Sequence, residues 1–560
     1  MPMKIHLYII SIFLTTGVFA QNLETISKQK PFAISGSLDI RGIGYSASGI
    51  QARRSPFMYV VSGSPTLSIY GVSIPLSFTY SEQERSFRQP FNQFGMSPTY
   101  KWATAHVGFR NISFSPYTLA GYTMFGAGVE LNPKKFRFGF MAGRLNRATT
   151  VDTTTGTIQP ITFSRFGYAA KIGYGTEESH FDLSYLKAKD SEQKFQGDIN
   201  TSAVRPAENA VIGADLKLTF AKKFFVFADG GLSIYTRDYQ SKLELDFDTY
   251  KILNTINKVI KLNGTSEYYL AYSGGVGFKE KNYSLKVAYK KVDPNFQSMG
   301  AYFFQSDLQN ITISPTYNAL KGKLRFLGSL GIQQDNTKKQ KQATTKRVIA
   351  MGNISWDINS KFGIDANYTN FSSNSEPTVA KIQNKYLLAQ TTKNLSISPR
   401  LIMANTKTTN VVLASYNLSN LVDINNDTKT INNINSSVAL VNYNLTLNKM
   451  GLTLMPGVNY TLNKLSIGDI SNIGFTAGAS KGFIKNQLLL STANSYIIST
   501  LPQGNSTILN LGVNASYQPT GKHRFSLRVN SLNNSPSDDA IGGQQKFSEQ
   551  TGEIGYTFTF

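Results

Sequence analysis

Residues Ala105–Leu145 read AHVGFRNISF, SPYTLAGYTMFGAGVEL and NPKKFRFGFMAGRL, three runs parted by turn-forming residues. In the first, Ala105, Val107 and Phe109 alternate with His106, Gly108 and Arg110. The second sets Leu119, Thr123, Phe125, Ala127, Val129 and Leu131 against Tyr122, Gly126, Gly128 and Glu130. The third sets Phe136, Phe138, Phe140 and Ala142 against Arg137, Gly139, Met141 and Gly143. Successive side chains of a strand point to opposite faces, so each run predicts a ribbon with one apolar and one small or polar face. Asn132-Pro133 supplies the turn between the last two. A unit of this kind, repeated along a chain, predicts a transmembrane β-barrel.

The repetition holds on both sides of this block. Upstream, Ile34–Tyr45, Phe57–Val61, Thr66–Tyr70 and Ile74–Tyr80 alternate in the same way. Downstream, runs from Phe163–Gly175 to Arg524–Asn530 continue it, more weakly in the Asn-rich second half. The last run, Glu553–Phe560, places Ile554, Tyr556, Phe558 and Phe560 on one face. Tyr556, Phe558 and Phe560 there resemble the terminal aromatic signal by which outer-membrane barrels are recognised for assembly.

Bulk properties point the same way. The 560 residues hold Gly 45, Tyr 29 and Phe 36 but no Cys, which is strand chemistry without a disulfide framework. Only 16% of residues are charged, and no internal apolar run approaches the roughly 18 residues of a spanning helix. No fixed-period repeat supports a soluble propeller or solenoid. At about 20–25 residues per strand with its share of loop, the chain allows roughly 22–26 antiparallel strands. The expectation is thus all-β: one large transmembrane barrel over 21–560, located in the cell outer membrane.

Met1–Ala20 has the form of a secretory signal peptide, with Lys4 followed by an apolar stretch ending in Val18-Phe19-Ala20. Strand character begins soon after, at Ile34, which leaves no room for the plug domain that precedes the barrel of TonB-dependent receptors. Two longer, less periodic connections, Ser81–Lys101 and Asp238–Asn263, are candidates for loops folded into the lumen or for extracellular tips. Within the second, YKILNTINKVIKL reads as an extended hairpin rather than a short surface helix.

A charge of +23 is scattered along the chain, with no basic arm or nucleic-acid motif. It suits solvated loops, anionic lipid or an anion-favouring lumen, so the partners expected are outer-membrane lipid and the barrel assembly machinery. A surface-exposed or periplasmic protein partner is also in keeping; nucleic acid is not. By parity, His106, Arg110, Glu130, Arg137, Arg165, Lys171 and Asp215 fall opposite the apolar stripe and so toward the lumen, as do Lys217, Lys286, Lys323 and Arg325. Glu130 lies near enough to Arg110 and Arg137 to form a pair or triad, and Arg110→Ala or Arg137→Ala should weaken any anion selectivity. Gly126, Gly128, Gly139 and Gly143 mark places where the wall bends or something packs close.

Enzyme signals are scarce. His106, His180 and His523 are far apart in sequence, with no nucleophile motif beside them. No Cys and no His cluster gives no zinc or iron–sulfur site, and Gly126-Ala-Gly128 is not a phosphate loop. No catalytic residue, metal or cofactor is expected. The sequence favours a channel, a conduit or a membrane scaffold for a surface or secretion-related partner. The alternative is a barrel-rim hydrolase acting on lipid or peptide, which would need a His with a Ser or Asp within hydrogen-bond reach.

Three stretches carry a further likeness. SFRQPFNQFGMSPTYKW (Ser86–Trp102), Phe109–Ala148 and VDPNFQSMGAYFFQSDLQN (Val292–Asn310) resemble segments of uncharacterised Bacteroidota outer-membrane β-barrel proteins. The resemblance implies fold and location and gives no activity. Many large barrels of that group serve secretion or glycan uptake with surface partners, and the missing plug sets this chain apart from the uptake receptors.

Overall fold

A computed structural model describes residues 31–70, 72–81, 93–148, 162–192, 204–246, 249, 251–301, 305–341, 343–377, 388–423, 429–502, 504–537 and 545–560. The leader Met1–Ala20 lies outside the described residues, as does 82–92 of the first irregular connection.

Twenty-nine strand segments form one antiparallel sheet. Three junctions, at Gly36, at Ser64-Pro65 and at Ser97-Pro98, interrupt ribbons that are otherwise continuous, so the closed barrel has 26 strands. Closure is made by Ser37–Ser48 against Phe547–Thr559, in the register Leu38↔Phe558 to Ser48↔Ser548. Full closure leaves no unpaired edge, the condition for a sheet that spans lipid.

Side-chain alternation divides the wall cleanly. Phe166, Tyr168, Ile172 and Tyr174 are exposed, while Ala169 between them is fully buried. Register carries the exposed row to Leu183, Ile212, Leu232 and Leu270 on the next strands, and as far as Val513 and Val529. This is the lipid-facing belt of a transmembrane barrel of the outer-membrane type. The opposite row runs through Met141, Ala169, Leu186 and Val211 and faces the lumen.

The first and last described segments meet at one end of the barrel, where Gly36 N donates to Phe560 O at 3.1 Å. Tight turns gather there, with positive φ at Lys134, at Ala221-Lys222 and at Ile484-Lys485-Asn486. The longer connections, in their described residues 112–122, 237–246 and 251–265, 293–301 and 305–307, and 335–341, lie at the other end.

Three sequence expectations need correcting. Ile112–Tyr122, read as the start of a strand, is a loop, and Leu119 is buried in a core rather than placed on the lipid stripe. Ser115-Pro116 and Gly121 (φ 65) break the ribbon before Thr123 restarts it. Part of Ser81–Lys101 is wall, for Gln93–Met96 and Thr99–Tyr100 pair with Ala103–Asn111 across the Pro98 interruption. Within Asp238–Asn263, the hairpin is replaced by a helix, Lys251–Asn257. Leu253, Ile256 and Ile260 recur at i, i+3 and i+7, and that stripe packs outside the barrel on Tyr185, Ala210 and Ile234.

Candidate functional site

Two loops of the long-connection end fold inward and pack on the lumen wall. In the first, Leu119 and Tyr122 join Met124, Met141, Leu186 and Val211 in a cluster that is nearly free of solvent contact. In the second, Phe296 packs on Tyr117, Tyr269 and Val292, its ring edge-on to Tyr117 with centroids 5.9 Å apart. The loops also bond to each other: Ala120 N donates to Gly300 O at 3.1 Å, and Ser298 Oγ to Thr118 O at 2.7 Å.

Polar anchors fix both loops to the wall. Thr118 Oγ1 donates to Ser184 Oγ at 3.1 Å and Ser233 Oγ to Gln297 O at 2.7 Å. Asn209, with no solvent exposure, accepts from Met299 N at 2.9 Å while its amide nitrogen donates to Ser233 Oγ and Ile234 O. A buried amide with every partner in place is specific, because each unmade bond would cost the full desolvation of the group. Small residues in the wall make the room. A Cβ at Gly139 would lie 2.5 Å from Phe114, and one at Gly231 2.6 Å from Tyr117 Cβ.

The base of the second loop is pinned by a third connection. Lys338 pairs with Asp293 at 3.1 Å and Lys341 with Asp307 at 2.5 Å, one lysine for each end of the loop. Burial pushes the Asp307 carboxyl up. Lys341 and the backbone N–H groups of Thr337 and Asn336 outweigh burial and hold it below its ordinary 3.8. Hydrogen bonding to Asp307 raises Lys341 above its ordinary 10.5. The carboxylate's contribution is therefore present above 3.8 and lost as pH falls through the lower folded value. The ammonium's is present below 10.5 and lost as pH rises through the higher one. Protection of the Thr337 N–H, measured against its intrinsic exchange rate, should accordingly fall in acid below 3.8 and be kept at neutral pH, by about 1 kcal/mol at most because Lys341 is half exposed.

The seven charged residues singled out by parity, His106, Arg110, Glu130, Arg137, Arg165, Lys171 and Asp215, all share the inner row by register. Their pairing differs from the triad expected. Arg137 bonds Asp182 at 3.1 Å, Arg110 donates to Ser77 Oγ at 3.0 Å, and Glu130 meets His106 instead of either arginine. Arg165 makes a two-point contact with Asp190 at 2.8 and 3.2 Å, and Lys171 sits over the Phe114 ring of the first inward loop. Asp215 lies 3.5 Å from His180.

Two arrangements had no local sequence signal. His180, Asp182 and Asp215 bring three ligand-type atoms within 4.8 Å of one another. Arg137 pairs with Asp182 and His180 Nε2 meets Asp215, so the group is a polar network across three strands. The second is a hydrogen-bonded chain, Ser97 Oγ to His106 Nδ1 at 2.9 Å and His106 Nε2 to Glu130 at 3.0 Å. It is the contact that a rim hydrolase would require. Here it lies in the lumen wall, with His106 buried under its neighbours and the carboxylate on Nε2. His523 faces lipid instead, where its Nδ1 is bonded to Tyr556 OH at 2.8 Å. Tyr556 stacks near Phe525 and Phe558 near Phe560 on the closing strand.

Beyond Ala343 the inner wall changes character. Asn394 Nδ2 donates to Thr369 Oγ1, Ser436 Oγ to Asn463, and Asn510 Nδ2 to Ser495 Oγ, at 3.2, 2.6 and 2.9 Å. Asn353 and Asn367 bond each other in the same inner row. Charge on this stretch includes Arg400 bridging Asp357 and Asp365 near the turn end, and Arg528 opposite Glu553 on the last two strands.

No family model and no curated protein matches the chain. Among solved structures it is similar to the translocation pore of the P pilus usher PapC, at 9% identity over 94% of this chain and 99% of that one, with a TM-score of 0.37. It is also similar to the copper transporter OprC (9% identity, 94% and 80% covered, TM-score 0.40). A third is BauA, the ferric preacinetobactin receptor from Acinetobacter baumannii (10%, 94% and 80%, TM-score 0.39). Likeness at this level assigns neither family nor cargo.

Proposed function

We propose that this barrel is a conduit through the outer membrane for a hydrophilic solute or an exported polypeptide. One observation carries the reading: the lumen has two unlike sides. Strands between Ala103 and Gln334 present a charged inner wall, largely paired within itself and partly covered by the two inward loops. Strands from Ala343 onward present mainly amides and hydroxyls, several bonded to one another, with charge at Asp357, Asp365 and Arg400 near the turn end and at Arg528 and Glu553 on the last two strands. A neutral polar wall can exchange weak hydrogen bonds with a passing chain without trapping it, whereas unpaired charges would hold counter-ions. Membrane lipid and the assembly machinery are the partners that go with such a barrel, and Tyr556, Phe558 and Phe560 are the proposed assembly signal. The resemblance at Val292–Asn310 and its companion stretches favours a Bacteroidota-type member.

The test is conductance of the refolded protein in a planar bilayer. Steady steps with weak ion selectivity are expected, and Arg110→Ala, which removes an inner-wall charge bonded to the neutral Ser77 hydroxyl and Pro75 carbonyl, should lower any anion preference. A silent membrane, with folding verified by a heat-sensitive gel shift, would overturn the conduit and leave the scaffold for a surface or secretion-related partner.

The Ser97–His106–Glu130 chain is read as a cross-link of the wall. Hydrolysis of a soluble p-nitrophenyl ester should stay at the background rate, the same for the native protein and for Ser97→Ala. A Ser97-dependent rate would revive the hydrolase.

A further inference from the structure

The segment around helix Lys251–Asn257 lies against the lipid-facing side of the barrel, at the long-connection end. Ile260 and Leu262 are buried there on Ala210, with Leu253 and Ile256 packed beside them. Lys187 of the outer wall donates to Val259 O, and Thr236 Oγ1 donates to Lys261 O at 2.9 Å. The segment is therefore docked in place rather than free in solvent.

Its height on the wall is set by the strand beneath. From Ala210 to Phe220 the outward residues span about 33 Å of strand, which a tilt near 40° reduces to about 25 Å, the height of a typical apolar belt. Ala210 is thus the last outward residue before the headgroup level. Ile212, the next one down, is 57% exposed and belongs to the belt. The docked segment begins where the belt ends.

Its outer side is amphipathic in its own right. Ile252 and Val259, seven residues and about two turns apart, are 67% and 44% exposed. Lys251 and Lys258 run in the adjacent stripe, and Lys261 follows. Between Lys251 and Leu262 there is no acidic residue. Apolar groups continuous with the lipid belt, flanked by three lysines, match an interfacial segment on an anionic leaflet.

We propose that residues 251–262 form a lipid-binding collar, with Ile252 and Val259 inserted at the acyl boundary and Lys251, Lys258 and Lys261 on lipid phosphates. The inference rests on the barrel spanning lipid and is independent of what the lumen carries. The chain has no Cys, so single-cysteine spin labels report one position each. Labels at Ile252→Cys and Val259→Cys would be compared with Ile212→Cys in the belt and Lys485→Cys in an exposed turn. Vesicles would be of phosphatidylcholine alone or mixed with phosphatidylglycerol.

Labels at 252 and 259 should favour collision with oxygen over a water-soluble nickel chelate, as at 212 and several-fold above 485. That preference should rise with phosphatidylglycerol and lose the rise when Lys251, Lys258 and Lys261 become Gln. Chelate contact equal to that at 485, for both labels in a barrel folded by gel shift, would overturn the collar. Insertion that is indifferent to phosphatidylglycerol would overturn the phosphate contacts.

Discussion

Gly231→Trp is expected to drive the loop Ile112–Tyr122 off the lumen wall and to raise the single-channel conductance about twofold or more, given the width of a barrel this large. Gly231 faces inward, and a Cβ there would sit 2.6 Å from the Cβ of Tyr117. A full indole cannot fit while the loop stays docked. The wall has no freedom to yield, for Gly231 is paired in continuous register with Gly213 on one side and Ala271 on the other. The loop must give way. Its departure removes the partner of Ser298 and the edge-on ring against Phe296, so the second loop is loosened with it.

At the lipid-facing Gly552 a Cβ would meet nothing within 4 Å, so Gly552→Trp serves as the control and should leave conductance unchanged. The expectation stands whether the native barrel is open or nearly closed, since it concerns the change. A folded Gly231→Trp barrel with native conductance would mean that the inward loops do not limit the passage.

How far the sequence revealed this arrangement follows from which contacts are local. Alternation from Phe136 to Gly143 gave the wall its two faces, because a strand encodes its own period. The same logic misread Leu119 and Tyr122, whose spacing mimics a strand while Pro116 and Gly121 turn the chain inward. Asn209 carried no signal at all, for its importance comes from Met299, ninety residues away. Ser298 and Thr118 are 180 residues apart, and no local pattern can announce such a bond. Yet both inward loops fall inside stretches whose likeness to a barrel family was legible, Phe109–Ala148 and Val292–Asn310. In the helix Lys251–Asn257, adjacent apolar residues Ile252 and Leu253 blurred the period, and only docking on Ala210 decides it.

Arg137→Ala should destabilise the barrel by about 3–5 kcal/mol, the cost of stranding a buried carboxylate. The Asp182 side chain is only 4% exposed and its partner guanidinium 24%, so solvent offers little relief. The pair reaches across a strand: Arg137 and Asp182 both stand opposite Gly173, where a Cβ would collide with the Asp182 carboxylate. Asp215 and Asp229 continue the same inner row on the next two strands, which leaves the carboxylates crowded once the arginine is gone. The cost thus comes from the unpaired charge more than from the lost bond, and removing the charge should recover it. Arg137→Ala with Asp182→Ala together is expected to be more stable than Arg137→Ala alone in urea unfolding followed by gel shift. A single variant that costs less than about 1 kcal/mol would place the pair among ordinary solvated ion pairs. A double variant as unstable as the sum of its singles would show that Arg137 and Asp182 act separately.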